Sequence, residues 1–193
     1  EVEINSISDA IDAGIGYVPE DRLTQGLIMK KSVGENLVTA VVDRLLGRLG
    51  LIDTNKWDYT VDKWINDLEI KVAGPDVRVQ TLSGGNQQRV VLGKWLASSP
   101  KILILDNATA GIDVAAKSSI HEIIRKMAQQ GVGIIMISDE IPEVVNNCNK
   151  IAIMRKGRIV EFMETADITE ADVQAQVEMT EPREKDIRMV AKV

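Results

Sequence analysis

The sequence predicts an α/β chain, and three features carry the prediction. Short apolar runs at 16–18, 102–105 and 132–138 alternate with segments of helical periodicity, the order that joins parallel strands through helices. The run Ile102-Leu103-Ile104-Leu105 has no polar alternation, which predicts a strand covered on both faces. Two consecutive helical patterns with no strand between them predict a helical subdomain at about 32–100.

Each element has a local reason. Residues 1–18 read as a short strand and a helix leading into a second strand, Gly16-Tyr17-Val18, which Pro19 ends. Ser32 and Glu35 form a capping box, in which each side chain satisfies the other's free backbone N–H. Val33, Leu37, Val41, Leu45 and Leu49 follow at helical spacing. A second helix is predicted over 54–68, with Trp57, Val61, Trp64, Ile65 and Leu68 on one side. Residues 72–82 read as a loop, and a helix runs from Ser83 to about Ser98. Lys117 to Gln130 reads as an amphipathic helix with Ile120, Ile123, Ile124 and Met127 inside, closed by Gly131 in a left-handed conformation. A strand at 132–138, a helix from about Ile141 and a hairpin turning at Lys156-Gly157 complete the pattern. The expected division is a domain over 1–163 and, over 164–193, a short helix with a charged tail.

The 193 residues suffice for one domain with a sizeable core, and 45% apolar with 27% charged residues is ordinary for a soluble globular protein. A net charge of −6 argues against a nucleic-acid-binding surface, which needs a basic stripe to neutralise phosphates. Aromatics at 3% leave no base-stacking platform. The single cysteine, Cys148, excludes an internal disulfide framework and fits a reducing cytoplasm. No leader is read at Glu1-Val2-Glu3, and no run approaches the ~20 apolar residues of a membrane span. Membrane association is therefore expected to go through a protein partner.

The strongest chemical signal is Leu82-Ser83-Gly84-Gly85-Asn86-Gln87-Gln88, followed at a distance by Asp106 at the end of the apolar strand. Ser83 stands at a helix N-terminus, where free N–H groups and the macrodipole favour an anion. Gly84 and Gly85 let backbone approach a phosphate with no Cβ in the way. His121 reads as a residue on a solvated helix face, and with no cysteine or histidine nearby a zinc site has no support. Trp57, Trp64 and Trp95 fall at helical spacing with other apolar residues and read as core or partner-facing surface.

These residues carry a resemblance. Leu82–Gln88 resembles the signature of ABC-type ATPases, in the form used by the carboxy-terminal cassette of ribose-, galactose- and xylose-type importers. Gly16-Tyr17-Val18-Pro19-Glu20-Asp21-Arg22, with Gly26-Leu27 and Ser32–Asn36, resembles the Q-loop region of that cassette. Ile102–Asp106 resembles the Walker B strand, 109–114 the D-loop, and 137–144 the segment after the switch strand. The resemblance covers residues 1 to about 165. It implies a P-loop NTPase (RecA-like) core of ABC ATPase type with a helical subdomain, working with ATP and Mg²⁺. It implies Ser83, Gly84, Gly85, Asn86, Glu20 and Asp113 as nucleotide-binding residues and Asp106 as the carboxylate that holds Mg²⁺ through water. The partners it implies are a second nucleotide-binding domain and membrane permease subunits, which would place the chain on the cytoplasmic face of the membrane.

Three departures qualify the resemblance. A Walker A loop needs Gly-x4-Gly-Lys-Ser/Thr, and the sequence contains none; Gly93-Lys94 is followed by Trp95 inside a predicted helix. In the family that loop precedes the region resembling Glu1 onward, so the expectation is a chain truncated at its N-terminus. Asn107 stands where the family places a glutamate that polarises the attacking water, and an amide is no general base. Asp139 stands where many ABC proteins keep a switch histidine, and a carboxylate there repels phosphate. Two readings follow: a component of a sugar-import ATPase acting through a composite site, or a non-hydrolysing module contributing only its signature and permease contacts. A role on DNA or ribosomes would require a coiled-coil, zinc-hook or basic insertion, and the sequence has none. Loss of the P-loop layer would also expose apolar faces of the 102–106 and 132–138 strands, from which a homo-oligomer or a covering partner is expected.

Overall fold

The computed structural model describes residues 2–179, and the charged tail expected at 181–192 lies outside them. The chain divides into two compact units, Glu1–Ile137 and Ser138–Val193.

The first unit is built on a parallel sheet of β1 (Ile15–Val18), β2 (Ile102–Asp106) and β3 (Gly133–Ile137) in that spatial order. The strand expected before α1 (Ile7–Asp12) is absent from residues 2–5; Ser6 instead caps α1 by accepting from Asp9 N, and Asn5 N donates to Asp9 Oδ2. That local network draws the segment into a helix start.

The capping box forms as predicted at the start of α2 (Val33–Val38), with Glu35 Oε2 accepting from Ser32 N at 2.8 Å. The apolar spacing out to Leu49 does not make one helix. Thr39 donates its hydroxyl to Asn36 O at 2.6 Å, a short 3₁₀ turn covers Val42–Leu45, and a tight turn through Gly47 and Gly50 brings Leu46 against Ile52. Leu49, at the tip of that turn, is 87% exposed. α3 (Thr54–Asp67) and α4 (Gly84–Leu96) match their predicted spans closely. Gly93 lets them pack with α2: a Cβ there would stand 2.6 Å from Leu37 Cδ2 and 3.0 Å from Leu68 Cδ1. Trp57, Trp64 and Trp95 pack against the main apolar cluster, so the core reading holds.

α5 (Val114–Gln129) begins three residues before the predicted start because Asp113 caps it, accepting from Ala116 N at 2.9 Å. It buries Ile120, Ile123 and Ile124, and Gly131 at φ +92° turns the chain into β3.

The sheet is packed on one face and open on the other, which departs from the cover on both faces read from 102–105 and agrees with the exposed apolar faces expected for 102–106 and 132–138. Val18, Leu103 and Leu105 are buried in the core with Ile134 and Met136 packed beside them. The other face carries Ile102, Ile135 and Ile137, which are 40%, 51% and 48% exposed. The run 102–105 is therefore covered on one face; the second is apolar in sequence and open in the described chain.

The second unit contains α6 (Ile141–Asn147), a hairpin of β4 (Lys150–Arg155) and β5 (Arg158–Glu164), and α7 (Glu170–Glu178). Lys156 and Gly157 take positive φ, 46° and 76°, as a two-residue hairpin turn demands. Ile151, Ile153 and Val173 form its small core.

Candidate functional site

Parallel sheets place chemistry at the carboxyl ends of their strands, where side chains leave the ladder. Asp106 ends β2, and its Oδ2 accepts from the Tyr17 hydroxyl at 2.8 Å on neighbouring β1. Two residues after β1, Glu20 Oε1 accepts from Asn107 Nδ2 at 3.3 Å. Tyr17, Glu20, Asp106 and Asn107 thus form one polar group. Hydrogen bonding to Asp106, then burial and the nearby charges of Asp106 and Glu20, pushes the Tyr17 phenol above its ordinary pKa. Asn107 takes φ +42°, a left-handed conformation that asparagine tolerates better than most residues. Its backbone N–H donates to Ile137 O at 2.9 Å and its carbonyl accepts from Ala110 N, which starts the loop leading to α5.

The second group lies at the start of α4. Ser83 is the N-cap, yet its side chain makes no capping bond; Ser83 Oγ instead accepts from Asn86 Nδ2 at 3.0 Å. Asn86 is itself held, its Oδ1 accepting from Lys71 N at 2.9 Å. Ser83 therefore keeps its hydroxyl proton to donate, and it stands where first-turn N–H groups lack intrahelical acceptors. The two glycines have packing reasons besides the one read from sequence. A Cβ on Gly85 would lie 2.6 Å from Ala116 Cβ at the start of α5, and one on Gly84 would lie 3.0 Å from Arg22 Nη2.

Asp113 directs its carboxylate to the α5 cap. Asp139 belongs to the second unit, whose Ser138 Oγ donates to Glu143 and accepts from Glu140 N. Gly93-Lys94 lies inside α4, where Lys94 Nζ donates to Gly26 O at 2.6 Å and burial pulls its pKa down. His121 is partly exposed on α5. Cys148 is a free thiol whose pKa burial raises, with Glu143 adding to the effect. Tyr17 and Arg22 were missed as site residues: both sit in the quoted 16–22 motif, but nothing local couples them to partners 89 and 88 positions away.

The sequence profile of the ABC transporter family matches residues 2–110. The chain belongs to the ABC transporter family. Among relatives of this ABC chain, the ribose import ATP-binding protein RbsA of Geobacillus kaustophilus is 44% identical over 163 residues, covering 84% of this chain and 33% of the relative. The protein of the same name from Caldanaerobacter subterraneus subsp. tengcongensis is 42% identical over 173 residues, covering 90% and 35%. The chain thus spans about a third of the length of the curated relatives it matches. A dimeric ATP-binding cassette in a post-hydrolysis state, bound to ADP and Pi, superposes with TM-score 0.71 at 18% identity, covering 86% of this chain and 70% of that one. The cbiO1 protein of Clostridium perfringens, part of an ABC transporter complex, superposes with TM-score 0.67 at 25% identity, covering 89% and 64%. These superpositions show the α/β fold of ABC ATPase domains, as the resemblance implied. No helix among the described residues is long and apolar enough to cross a membrane.

The family uses ATP and Mg²⁺, and the polar group at the strand ends bears on the metal. Its donors are hard oxygens: the Asp106 and Glu20 carboxylates and the Asn107 amide. Among the described residues no cluster of three or more His, Cys, Asp or Glu forms a protein cage. The set suits Mg²⁺ that keeps much of its water and draws further ligands from phosphates.

Proposed function

We propose that this chain is the ATP-binding-cassette component of a simple-sugar importer and completes a nucleotide site on a partner cassette. The observation that carries the reading is the state of Ser83: an N-cap with an uncommitted hydroxyl proton, oriented by Asn86, ahead of a 13-residue helix. Helix dipole, first-turn N–H groups and hydroxyl converge on one point, an arrangement that receives phosphate oxygens. The named relatives support sugar, with ribose the substrate class their names give.

Within that reading Ser83, Gly84, Gly85 and Asn86 face nucleotide held by the partner. Asp106 holds Mg²⁺ through water at the chain's own site, with Tyr17 fixing one carboxylate oxygen and Glu20 beside it. Mg²⁺ would supply charge neutralisation of the phosphates there. Asp113 serves the nucleotide region by fixing the start of α5. Permease subunits hold the protein at the cytoplasmic face of the membrane.

A second reading, a pseudo-ATPase module, has its own support. Asn107 offers no base, and its amide is engaged with Glu20. The open face with Ile102, Ile135 and Ile137 supports a further layer of polypeptide or a second copy covering it.

ATP hydrolysis and sugar uptake by the importer assembled with this chain, its second cassette and permease test the proposal. Sugar-stimulated hydrolysis that vanishes without this chain is the expected result. Uptake at full rate in its absence removes the reading.

A further inference from the structure

Arg22 opens a short turn, Arg22–Gly26, immediately after the Glu20-Asp21 pair. Asp21 fixes the start of that turn: its Oδ1 accepts from Leu23 N and Thr24 N at 3.0 and 3.2 Å, and its Oδ2 from the Thr24 hydroxyl at 2.6 Å. These bonds also hold the Asp21 carboxyl below its usual pKa. The far end is anchored on α4, where Gly26 lies against Val91 and its carbonyl accepts from Lys94. An arginine on a turn held at both ends has a fixed origin.

Its guanidinium reaches the loop between β2 and α5. Nη1 donates to Ala110 O at 2.9 Å and Nη2 to Gly111 O at 3.4 Å. The same Nη2 fills the space beside Gly84 that a side chain would occupy. Nε is buried and makes no hydrogen bond. Burying a guanidinium N–H without a partner is unfavourable. The forked grip on two consecutive carbonyls offsets that cost, and lysine, whose three donors sit on one nitrogen without a planar fork, cannot reproduce it.

We infer that Arg22 is a positioning residue that locks the 107–113 loop to the first turn of α4. Ser83–Asn86 and the loop carrying Asn107 are then presented as one block, and closure on a partner moves both together. The lock requires the fork, the anchored turn and a residue without a side chain at position 84.

Hydrogen exchange on the full chain tests the lock without reference to activity. Arg22→Gln raises exchange of the 107–113 amides about tenfold, the scale of one charge-assisted bond, while those of 102–106 stay protected. Arg22→Lys gives an intermediate value. Gly84→Ala displaces the guanidinium and loosens the same amides, and Arg22→Gln with Gly84→Ala adds nothing beyond Arg22→Gln alone. A purely structural role would give additive effects that spread into β2. Unchanged exchange at 107–113 in Arg22→Gln, or additivity in the double variant, overturns the inference.

The functional arm rests on the proposed importer role. There Arg22→Gln lowers kcat about tenfold with KM unchanged, because the nucleotide contacts themselves remain. A rise in KM alone overturns the positioning role. A wild-type importer that never hydrolyses ATP sinks the importer reading, while the exchange result still decides the lock.

Discussion

The Tyr17 hydroxyl donates to Asp106 Oδ2 across 2.8 Å, joining residues 89 positions apart on neighbouring parallel strands. The bond holds the phenol protonated against an anionic acceptor, which raises its pKa. Because the folded value lies above the unfolded one, the contribution to stability is complete below the ordinary tyrosine value of ~10 and is lost as pH rises through the raised value. Tyr17→Phe is therefore expected to lose less stability than wild type over that alkaline window. Asp106→Asn should return the Tyr17 ionisation toward the ordinary range. Denaturation at stepped alkaline pH and an ultraviolet titration, each differenced against Tyr17→Phe, check both outcomes.

Gly85 touches Ala116 so closely that a side chain does not fit: a Cβ would lie 2.6 Å from Ala116 Cβ. Gly85→Ala should destabilise the chain by ~1–3 kcal/mol, the usual scale for overpacking. Ala116→Gly in the same background should recover part of the loss, less ~0.5–1 kcal/mol for glycine inside a helix. Urea denaturation of the two single variants and the double measures this. A bulky residue at 85 that abolishes activity consequently reports packing as well as nucleotide contact, so substitutions of Ser83 give the cleaner functional result.

Local chemistry made much of this fold legible. Ser32 with Glu35 marked a helix start, Gly131 a helix end, and Lys156-Gly157 a hairpin turn, because each satisfies backbone groups within a few residues. The run Val33 to Leu49 misled because periodicity does not register Thr39 competing for helix carbonyls or glycines at 47 and 50 making a turn. The strand 102–105 was correctly placed, but its unbroken apolar pattern predicted cover that the described chain supplies on one face. In the site, the glycines and carboxylates stood out by type and spacing. Tyr17 and Arg22 did not, since their roles depend on which strands and loops the fold brings together.

Asp113 caps α5 through Ala116 N. Asp113→Ala should cost ~0.5–2 kcal/mol, while Asp113→Asn, which keeps an acceptor at the cap, should cost much less. If Asp113 also contributes to nucleotide handling in the importer, Asp113→Asn should reduce hydrolysis out of proportion to its small effect on stability. Paired denaturation and ATPase measurements separate cap from charge.

The open sheet face should drive association of this chain when it is purified alone. Ile102, Ile135 and Ile137 form an apolar surface on strands whose other face is already packed. Light scattering should show concentration-dependent association. Ile135→Lys with Ile137→Lys should suppress it with only a small drop in the thermal midpoint, since both side chains are already about half exposed in the single chain. A monodisperse monomer at high concentration in the wild type would mean that this face needs no cover.

The last expectation separates the two halves of the proposed site. In the proposed reading Ser83 belongs to the half that reaches a partner's nucleotide, and Asn107 to the half that would face the chain's own. Charge-assisted hydrogen bonds to phosphate contribute ~1.5–3 kcal/mol each, so losing one or two weakens closure by a factor of ten or more. In the assembled importer, Ser83→Arg should abolish hydrolysis at the partner's site and sugar uptake with it, because its bulk and charge occupy the point where phosphate enters. Asn107→Ala removes a bond to Glu20 3.3 Å away and an asparagine suited to φ +42°, and should lower stability by ~1 kcal/mol with little effect on turnover. ATPase rates and uptake in membranes carrying each variant decide the matter. If Asn107→Ala proves as damaging to turnover as Ser83→Arg, hydrolysis depends on the chain's own site, and the division into a donor half and a non-hydrolysing half is wrong.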